Sequence, residues 1–307
     1  MEFSLESCTL CPHKCLVNRK KAFGKCKASD KIRVSRAALH FFEEPCISGK
    51  YDDKKDNNRG SGTVFFSNCN LKCVFCQNYK ISHEGYGVEV SIEDLSKIFL
   101  KLQENGAYNI NLVSPTIYCL QIKEAIKLAK KEGLAIPIIY NTSGYENKET
   151  IESLDGYVDV YLPDFKYFDN EVAKKYSKVD NYFEYASQSI KKMYEQVGNP
   201  IFDNNGIIKR GLIIRHLILP NNISQTRKIL SWIKDNLGNK VYISIMAQYF
   251  PAGYAKRYSK INRKITKKEL NIVKLFLKKY EFENGYIQKL GEHEEEYVPD
   301  FDLTGVL

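Results

Sequence analysis

The sequence predicts an α/β fold: an open, partial (βα)6 barrel of the TIM type, preceded by an N-terminal cysteine-rich metal-binding segment. From residue 63 onward, short β-branched or aromatic runs alternate with longer stretches of helical period, which is typical of a parallel sheet. Six such units fill residues 63–247, and the rest of the chain is too short for the two further units of a closed barrel, which takes ~250 residues. Seven of the nine cysteines fall in two short groups.

Each element follows from a local pattern. The helix at 91–104 opens with a Ser N-cap three residues before Asp94, and the helix at 118–132 ends at Gly133. Further helices are predicted at 169–196, 221–236 and 265–282. The predicted strands are 63–67, 109–114, 136–141, 158–163, 211–219 and 241–247. The chain is thereby divided into a cysteine-rich segment at 1–58, the barrel at 59–260, and a C-terminal helix with an acidic tail at 261–307.

Composition narrows the class of protein. The net charge of +9 would favour an anionic partner if it were gathered on one surface, but the lysine pairs are scattered among acidic residues. This pattern indicates a solvated polar face and argues against nucleic acid. The start of the sequence lacks the basic segment followed by an apolar segment that is typical of a leader peptide. No run reaches the ~18 apolar residues of a membrane span. We therefore expect a cytoplasmic protein without a membrane partner, in which grouped cysteines bind metal instead of forming disulfides.

A loop with three cysteines follows the first predicted strand. Cys69, Cys73 and Cys76 are separated by three and then two residues, at the end of the barrel where such folds keep their chemistry. Three thiolates can hold three irons of a four-iron cluster and leave the fourth open to a substrate. The alternative is a zinc knuckle completed by His83 or Cys46.

This spacing, with Phe75 before the last cysteine, resembles the signature of the radical S-adenosylmethionine superfamily. The resemblance implies a 4Fe-4S cluster that binds S-adenosylmethionine and cleaves it, with one electron, to methionine and a 5′-deoxyadenosyl radical that abstracts hydrogen. It also implies a one-electron reductant such as flavodoxin or ferredoxin.

Four further features carry a closer resemblance: Cys76-Gln77-Asn78, Asn141-Thr142-Ser143-Gly144, Asp164-Phe165-Lys166 and Arg215. They resemble the glycyl-radical-enzyme activases, in particular uncharacterised homologues of pyruvate formate-lyase activating enzyme. This resemblance implies hydrogen abstraction from a glycine of a partner glycyl-radical enzyme. Two alternatives stay open: the same chemistry on a small molecule or peptide, and a non-enzymatic, metal-stapled RNA-binding protein, which only the charge supports.

Polar residues at strand ends are the candidates for cofactor binding. Asp164 and Lys166 are two apart, so both side chains point to one side, and a charged pair inside a barrel needs a ligand or is a surface ion pair. By resemblance they contact the ribose and methionine parts of S-adenosylmethionine, and Asn141 and Thr142 lie over its methionine. Arg215 and His216 cannot both face inward. By resemblance Arg215 does and pairs with a carboxylate, while His216 is structural.

The sequence departs from the activase pattern at two strand ends. Most relatives have a Gly-Gly-Glu type turn for the amino group of S-adenosylmethionine, whereas this chain has Ser114-Pro115-Thr116. The Ser114 or Thr116 hydroxyl and backbone carbonyls can still accept the ammonium hydrogen bonds. Where characterised activases have a histidine, this chain has Met246-Ala247-Gln248-Tyr249, which leaves the substrate open.

The N-terminal group supplies four soft ligands within nineteen residues, enough to close a tetrahedral site. Structural zinc and an auxiliary iron-sulfur cluster both fit. The segment 40–45 that follows is interpreted as a linker that packs its aromatics and solvates Glu43 and Glu44, in preference to a role in proton transfer. Cys46 and Cys119 are expected to be small buried hydrophobes. The four ligands are Cys8, Cys11, Cys15 and Cys26.

Overall fold

The computed structural model describes residues 3–50, 59–291 and 298–306. The strands among them are β1 (Ile32–His40), β2 (Ser61–Phe66), β3 (Val88–Val90), β4 (Ile110–Val113), β5 (Ile138–Thr142), β6 (Val160–Pro163), β7 (Ile201–Phe202), β8 (Ile208–Leu217), β9 (Tyr242–Met246) and β10 (Gly285–Ile287). The α-helices are α1 (Pro45–Ser48), α2 (Tyr79–Ser82), α3 (Ile92–Glu104), α4 (Cys119–Lys131), α5 (Lys148–Glu152), α6 (Asn170–Ser177), α7 (Tyr182–Val197), α8 (Ile223–Leu237) and α9 (Lys267–Lys279).

The six predicted strands form the centre of one sheet. β2, β4, β5, β6, β8 and β9 lie side by side in chain order, and each neighbouring pair is parallel. β10 adds a parallel strand beside β9, while β1 and then β3 continue the other edge in antiparallel fashion. The path thus ends on β10 and β3 without closing. The open, partial barrel of the TIM type is confirmed.

The longer helices form where the sequence pattern predicts them, whereas the short helices α1, α2 and α5 were not predicted. Ser91 accepts a hydrogen bond from the backbone N–H of Asp94, whose side chain caps in return, so α3 begins one residue later. The same reciprocal cap starts α9 at Thr266 and Glu269. The long predicted helix at 169–196 is two helices, α6 and α7, because Lys178 takes a left-handed φ of +61° after the first.

Strand β1 was not predicted, since the cysteine-rich segment shows no regular alternation. A register irregularity between Val34 and Arg36 interrupts its pairing with β2, and Ser35 is buried, its hydroxyl donating to the carbonyl of Phe65 at 3.0 Å. Residues 298–306 run beside this strand: the N–H of Leu303 donates to Ser35, and that of Ala37 to Thr304. The three-part division at 58 and 260 stays a prediction. Residues 51–58 and the 292–297 part of the acidic tail lie outside the described residues.

The amino-terminal end of the barrel is filled by residues 40–48, here called the plug. Its helix α1 buries Cys46 and Ile47 against residues of β5, β6 and β8. The carbonyl of Ile47 accepts a hydrogen bond from Asn109, just before β4 begins. The plug therefore closes one end of the barrel and leaves the carboxyl ends of the strands for a site.

Candidate active site

A cavity of about 230 Å³ lies at the carboxyl ends of the barrel strands. It brings together residues that are up to about two thirds of the chain apart in sequence, from His40 to Tyr249, as expected where parallel strands end at one edge. Its lining includes all nine barrel residues that the sequence singled out for cofactor or cluster binding: Cys69, Cys73, Cys76, Ser114, Asn141, Thr142, Asp164, Lys166 and Arg215.

The three-cysteine loop is fixed by hydrogen bonds to the end of α6. The backbone N–H groups of Lys72 and Val74 donate to the carbonyls of Ser177 and Tyr176. Each sulfur has a polar neighbour: the Leu71 N–H lies 3.4 Å from Cys69 Sγ, the Ser177 hydroxyl 3.0 Å from Cys73 Sγ, and the Ser82 hydroxyl 3.2 Å from Cys76 Sγ. Burial raises the pKa of all three thiols, that of Cys73 to about 12. Metal binding would therefore have to displace their protons.

The zinc-knuckle alternative gains no support. Cys46 lies in the plug, at the other end of the barrel. His83 stacks on Tyr79 with ring centroids 4.5 Å apart, and its Nδ1 is 2.8 Å from the Ser82 hydroxyl. In the described part of the chain, neither cysteine group nor any other set of three or more His, Cys, Asp or Glu is arranged to hold a single metal ion. A four-iron cluster is a different case, because each of its thiolates bonds a separate iron.

Asp164 and Lys166 form an ion pair on the cavity wall, with side chains 20% and 13% exposed. Burial alone would lower the pKa of Lys166, but the Asp164 carboxylate outweighs it and the net pKa is raised. The Tyr182 hydroxyl accepts from the Lys166 N–H at 3.0 Å and lies 2.8 Å from the Asp164 carbonyl and 2.9 Å from that of Ser143. Tyr182, which the sequence did not single out, thereby joins the turns that follow β5 and β6.

The turn after β5 packs closely on the turn after β6. Gly144 has a φ of +78°, and a Cβ there would lie 2.2 Å from the Asp164 carbonyl oxygen, so only glycine fits. The Thr142 hydroxyl donates to the buried carboxyl of Glu146, as does the Thr116 hydroxyl at 2.6 Å. Burial raises the pKa of Glu146 to about 7. Thr116 therefore points to Glu146, and of the Ser114-Pro115-Thr116 turn Ser114 faces the cavity.

Arg215 faces the cavity, and the carboxylates that it contacts come from the plug. Its Nε donates to Glu44 at 2.8 Å, and its Nη2 donates to both Glu43 and Glu44. The expectation that segment 40–45 solvates its acids is therefore wrong: Glu44 is only 8% exposed. An arginine buried in a barrel needs compensating carboxylates, and the plug is the element that reaches it. His216, on the opposite face of β8, is held by the Phe165 carbonyl and the Thr226 hydroxyl.

The four N-terminal cysteines converge on a separate pocket of about 10 Å³. Cys8, Cys11 and Cys26 are buried, and Cys15 is partly exposed. A Cβ on Gly24 would lie 3.1 Å from Cys15 Sγ, so the glycine makes room for the thiols. His13 lies beside the pocket, and its Nε2 is 2.8 Å from the carbonyl of Asn70 in the three-cysteine loop.

The fold and the site together define a class of enzyme, and comparisons with known proteins agree. The family model of the radical SAM superfamily matches residues 63–209. The chain belongs to the radical SAM superfamily. An uncharacterised protein of Methanocaldococcus jannaschii is 33% identical over 292 residues, which are 92% of this chain and 77% of that one. The pyruvate formate-lyase-activating enzyme of Clostridium pasteurianum is 25% identical over 207 residues, covering 65% of this chain and 79% of the relative.

Solved structures share the fold. SuiB of Streptococcus suis, bound to precursor peptide SuiA, has a TM-score of 0.51 at 17% identity, over 73% of this chain and 47% of that one. HydG, a maturase of the [FeFe]-hydrogenase, has a TM-score of 0.50 at 13% identity, over 75% and 51% of the two chains. This chain thus spans about half the length of each.

Membership of the superfamily supports an enzyme, against the RNA-binding alternative, and implies a 4Fe-4S cluster and S-adenosylmethionine as cofactors. The donor set fits that pair: three thiols border one cavity with a charged pair and several polar strand ends. No helix in the described residues is long and apolar enough to cross a membrane.

Proposed function

We propose that this enzyme reductively cleaves S-adenosylmethionine and abstracts hydrogen from a glycine of a partner glycyl-radical enzyme. The observation that carries the proposal is the meeting of Cys69, Cys73 and Cys76 with the Asp164–Lys166 pair on one cavity. When bound, the cluster and S-adenosylmethionine supply an electron and a carbon-centred radical.

In this proposal the chain's own residues bind and orient the cofactor. Cys69, Cys73 and Cys76 hold three irons and leave one open, because no further cysteine lines the cavity among the described residues. Asp164 accepts hydrogen bonds from the ribose hydroxyls, and Lys166 donates to the carboxylate of the methionine part.

Three strand ends complete the proposed binding site. The Asn141 amide and the backbone at Thr142 lie against the methionine part, since the Thr142 hydroxyl is engaged by Glu146. Ser114, with a φ of +60°, turns the chain out of β4 and offers its hydroxyl and carbonyl to the ammonium group. Arg215 also lines the cavity, where it is hydrogen-bonded to the carboxylate of Glu44.

The glycine of a partner protein is proposed as substrate because the Clostridium pasteurianum relative is an activating enzyme. A small molecule or peptide is the second candidate. It is favoured by the plug, which closes the amino-terminal end of the barrel and limits how far a folded partner can reach inward. The Met246-Ala247-Gln248-Tyr249 segment, where characterised activases have a histidine, also leaves this candidate open.

The N-terminal pocket is proposed as a second metal site, for zinc or an auxiliary iron-sulfur cluster, held by Cys8, Cys11, Cys15 and Cys26. A flavodoxin or ferredoxin is proposed as electron donor. The His13 contact with the Asn70 carbonyl brings the pocket next to Cys69, so an iron-sulfur cluster there would lie close to the route of the electron.

The test is an anaerobic reaction of the reconstituted, dithionite-reduced enzyme with S-adenosylmethionine and a glycyl-radical enzyme encoded nearby. A carbon-centred doublet in the paramagnetic resonance spectrum, together with 5′-deoxyadenosine, is the expected result. If 5′-deoxyadenosine forms without a protein radical, while a small metabolite or peptide exchanges labelled hydrogen with it, the second candidate replaces the first. If the loaded enzyme forms no 5′-deoxyadenosine at all, both are wrong.

A further inference from the structure

The floor of the cavity, defined as the lining residues His40, Glu43 and Arg215 together with Asn111, a buried residue that bonds Glu43 without itself lining the cavity, carries polar groups that the proposed cofactors do not account for. Glu43 borders the cavity with its side chain 12% exposed. One carboxylate oxygen accepts from Asn111 Nδ2 at 3.0 Å, and the other accepts from Arg215. The floor is therefore held in place by contacts between β4, β8 and the plug.

The floor has more negative than positive charge. Arg215 contributes one positive charge, and both Glu43 and Glu44 accept its hydrogen bonds. Burial alone would raise the pKa of Glu44, but the Arg215 guanidinium lowers it, so Glu44 is ionised. Burial also lowers the pKa of His40, so that imidazole stays neutral and does not offset the second carboxylate. Lys166, the other cation on the cavity wall, is neutralised by Asp164.

An independent observation concerns the amide of Asn111. The residue is fully buried, and its Oδ1 has no hydrogen-bond partner among the described residues. Asn111 precedes Val113 by two residues on β4, so both side chains lie on the same face, and Val113 lines the cavity. A buried acceptor without a donor is costly, and a ligand donor at the floor would satisfy it.

We infer that this floor binds a positively charged group of the substrate, an ammonium or a guanidinium. The inference rests on the proposed function, since it names the chemistry of the molecule from which hydrogen is taken. An anionic group would meet Glu43 directly, and the Arg215 Nε and Nη2 that would receive it are already bound to carboxylates. A cation would pair with the excess carboxylate charge. The group comes from a small amine or from a lysine or arginine side chain.

A ligand series on the intact, cluster-loaded enzyme with S-adenosylmethionine tests the charge. Calorimetry compares pentane-1,5-diamine with pentane-1,5-diol and glutarate, and acetyl-glycyl-lysine amide with its norleucine counterpart. We expect the cationic member of at least one series to bind about tenfold tighter than its neutral match. Tighter diamine binding identifies a small amine as the source, and tighter lysine-peptide binding identifies a polypeptide. Equal or weaker binding of both cations overturns the inference.

A matched pair of variants tests the residue. Glu43→Gln keeps the shape and removes one charge from the floor, whereas Glu84→Gln removes one charge from an exposed position outside the cavity. We expect Glu43→Gln to weaken binding of the preferred cation by about tenfold, and Glu84→Gln to leave it unchanged. Equal effects of the two variants overturn the assignment to Glu43. If circular dichroism shows that Glu43→Gln does not fold, the wild-type ligand series still decides.

The two proposals fail in different ways. 5′-Deoxyadenosine formation by the reduced wild-type enzyme is measured in parallel with binding. Its absence contradicts the proposed function. Its presence, with no preference for cations, contradicts only the inference about the floor.

Discussion

The two cysteine groups of this enzyme differ in the space around them. Cys69, Cys73 and Cys76 border a cavity of about 230 Å³ that they share with polar strand ends. The N-terminal group borders about 10 Å³, roughly the space that one water molecule requires, lined in part by Leu10 and Ile117. A site that must admit a substrate needs unfilled volume and polar groups beside its ligands, whereas a site saturated by its own ligands needs neither. The space around the first group therefore suits the proposed reaction, and that around the second suits the proposed closed metal site.

Removing the ligands of the open site is expected to have the largest effect. Cys69→Ala, Cys73→Ala and Cys76→Ala should each lose roughly four irons, because each removes a corner of a site with only three ligands. Formation of 5′-deoxyadenosine should stop as well. Iron analysis after anaerobic reconstitution measures the loss, and Cys46→Ala, in the plug, is the control that keeps its iron. A full iron count in any of the three variants would contradict the assignment.

Removing the closed site should have a smaller effect on chemistry. We expect the quadruple Ala variant of Cys8, Cys11, Cys15 and Cys26 to lose a second metal and to be cleaved faster in residues 3–31 by a protease, because metal binding there contributes to folding. Cleavage of S-adenosylmethionine should persist. Metal analysis distinguishes zinc from iron. Zinc and iron contents that both equal those of the wild type would mean that the pocket holds no metal.

Glu146 interacts electrostatically with one thiol of each group, Cys11 and Cys69. Its ionisation therefore reports on the stability of the protein between the two groups. Its pKa is about 7 when folded, against an ordinary 4.5, because of burial. The folded state therefore binds its proton more tightly than the unfolded state does, and stability falls as pH rises from about 5 to 8, by about 3 kcal/mol.

Glu146→Gln should remove this slope, since the amide does not ionise. Urea unfolding of the metal-free protein at pH 5, 6.5 and 8 measures it, with Glu93→Gln on the exposed face of α3 as control. If the slope survives in Glu146→Gln, a different group causes it.

The smallest effect is expected from removing the Asp164–Lys166 pair, the polar wall that only the larger cavity has. Asp164→Ala and Lys166→Ala should keep the cluster and weaken S-adenosylmethionine binding by roughly 1.5–3 kcal/mol per charged hydrogen bond, which is about one to two decades in Kd. Equilibrium binding to the reconstituted enzyme measures it. The exposed pair Lys174 and Asp180 supplies matched controls, Lys174→Ala and Asp180→Ala. Affinities equal to those of the controls would show that the cavity pair does not bind the cofactor.

The sequence predicted the centre of the fold well because its information is local. β-branched runs and helix caps specify the parallel strands and α3 without reference to distant residues. β10 is only three residues long, and β1 is broken by an irregularity after Val34. Neither strand shows enough alternation of apolar and polar residues to be recognised in the sequence, so only the structure reveals the edges of the sheet.

The candidate site was predicted where it depends on a motif and missed where it depends on contacts across the chain. Glu43 and Glu44 contact an arginine more than 170 residues away. Their local pattern is that of a solvated linker. One signal was present: Arg215 directly follows the apolar run Leu212-Ile213-Ile214 in β8, and a buried guanidinium requires carboxylates that the neighbouring strands do not supply in excess. Glu146 and Tyr182 gave no comparable signal, because each acts on a turn formed by other segments.

The hydrogen bonds between β1 and residues 298–306 also set the order in which a nascent chain can complete its sheet. Arg36 contacts Asp302, 266 positions later, and the backbone of Ala37 donates to Thr304. β3 pairs with Ile32–Val34 on the outer edge of β1, but the segment that covers the next part of that edge, at Ser35–Ala37, is among the last described residues to be synthesised. Pairing at such separation is slow, and an uncovered strand edge is open to pairing with another chain. A ribosome-bound chain that stops before residue 298 therefore exposes this edge, and its protection depends on translation speed as much as on sequence.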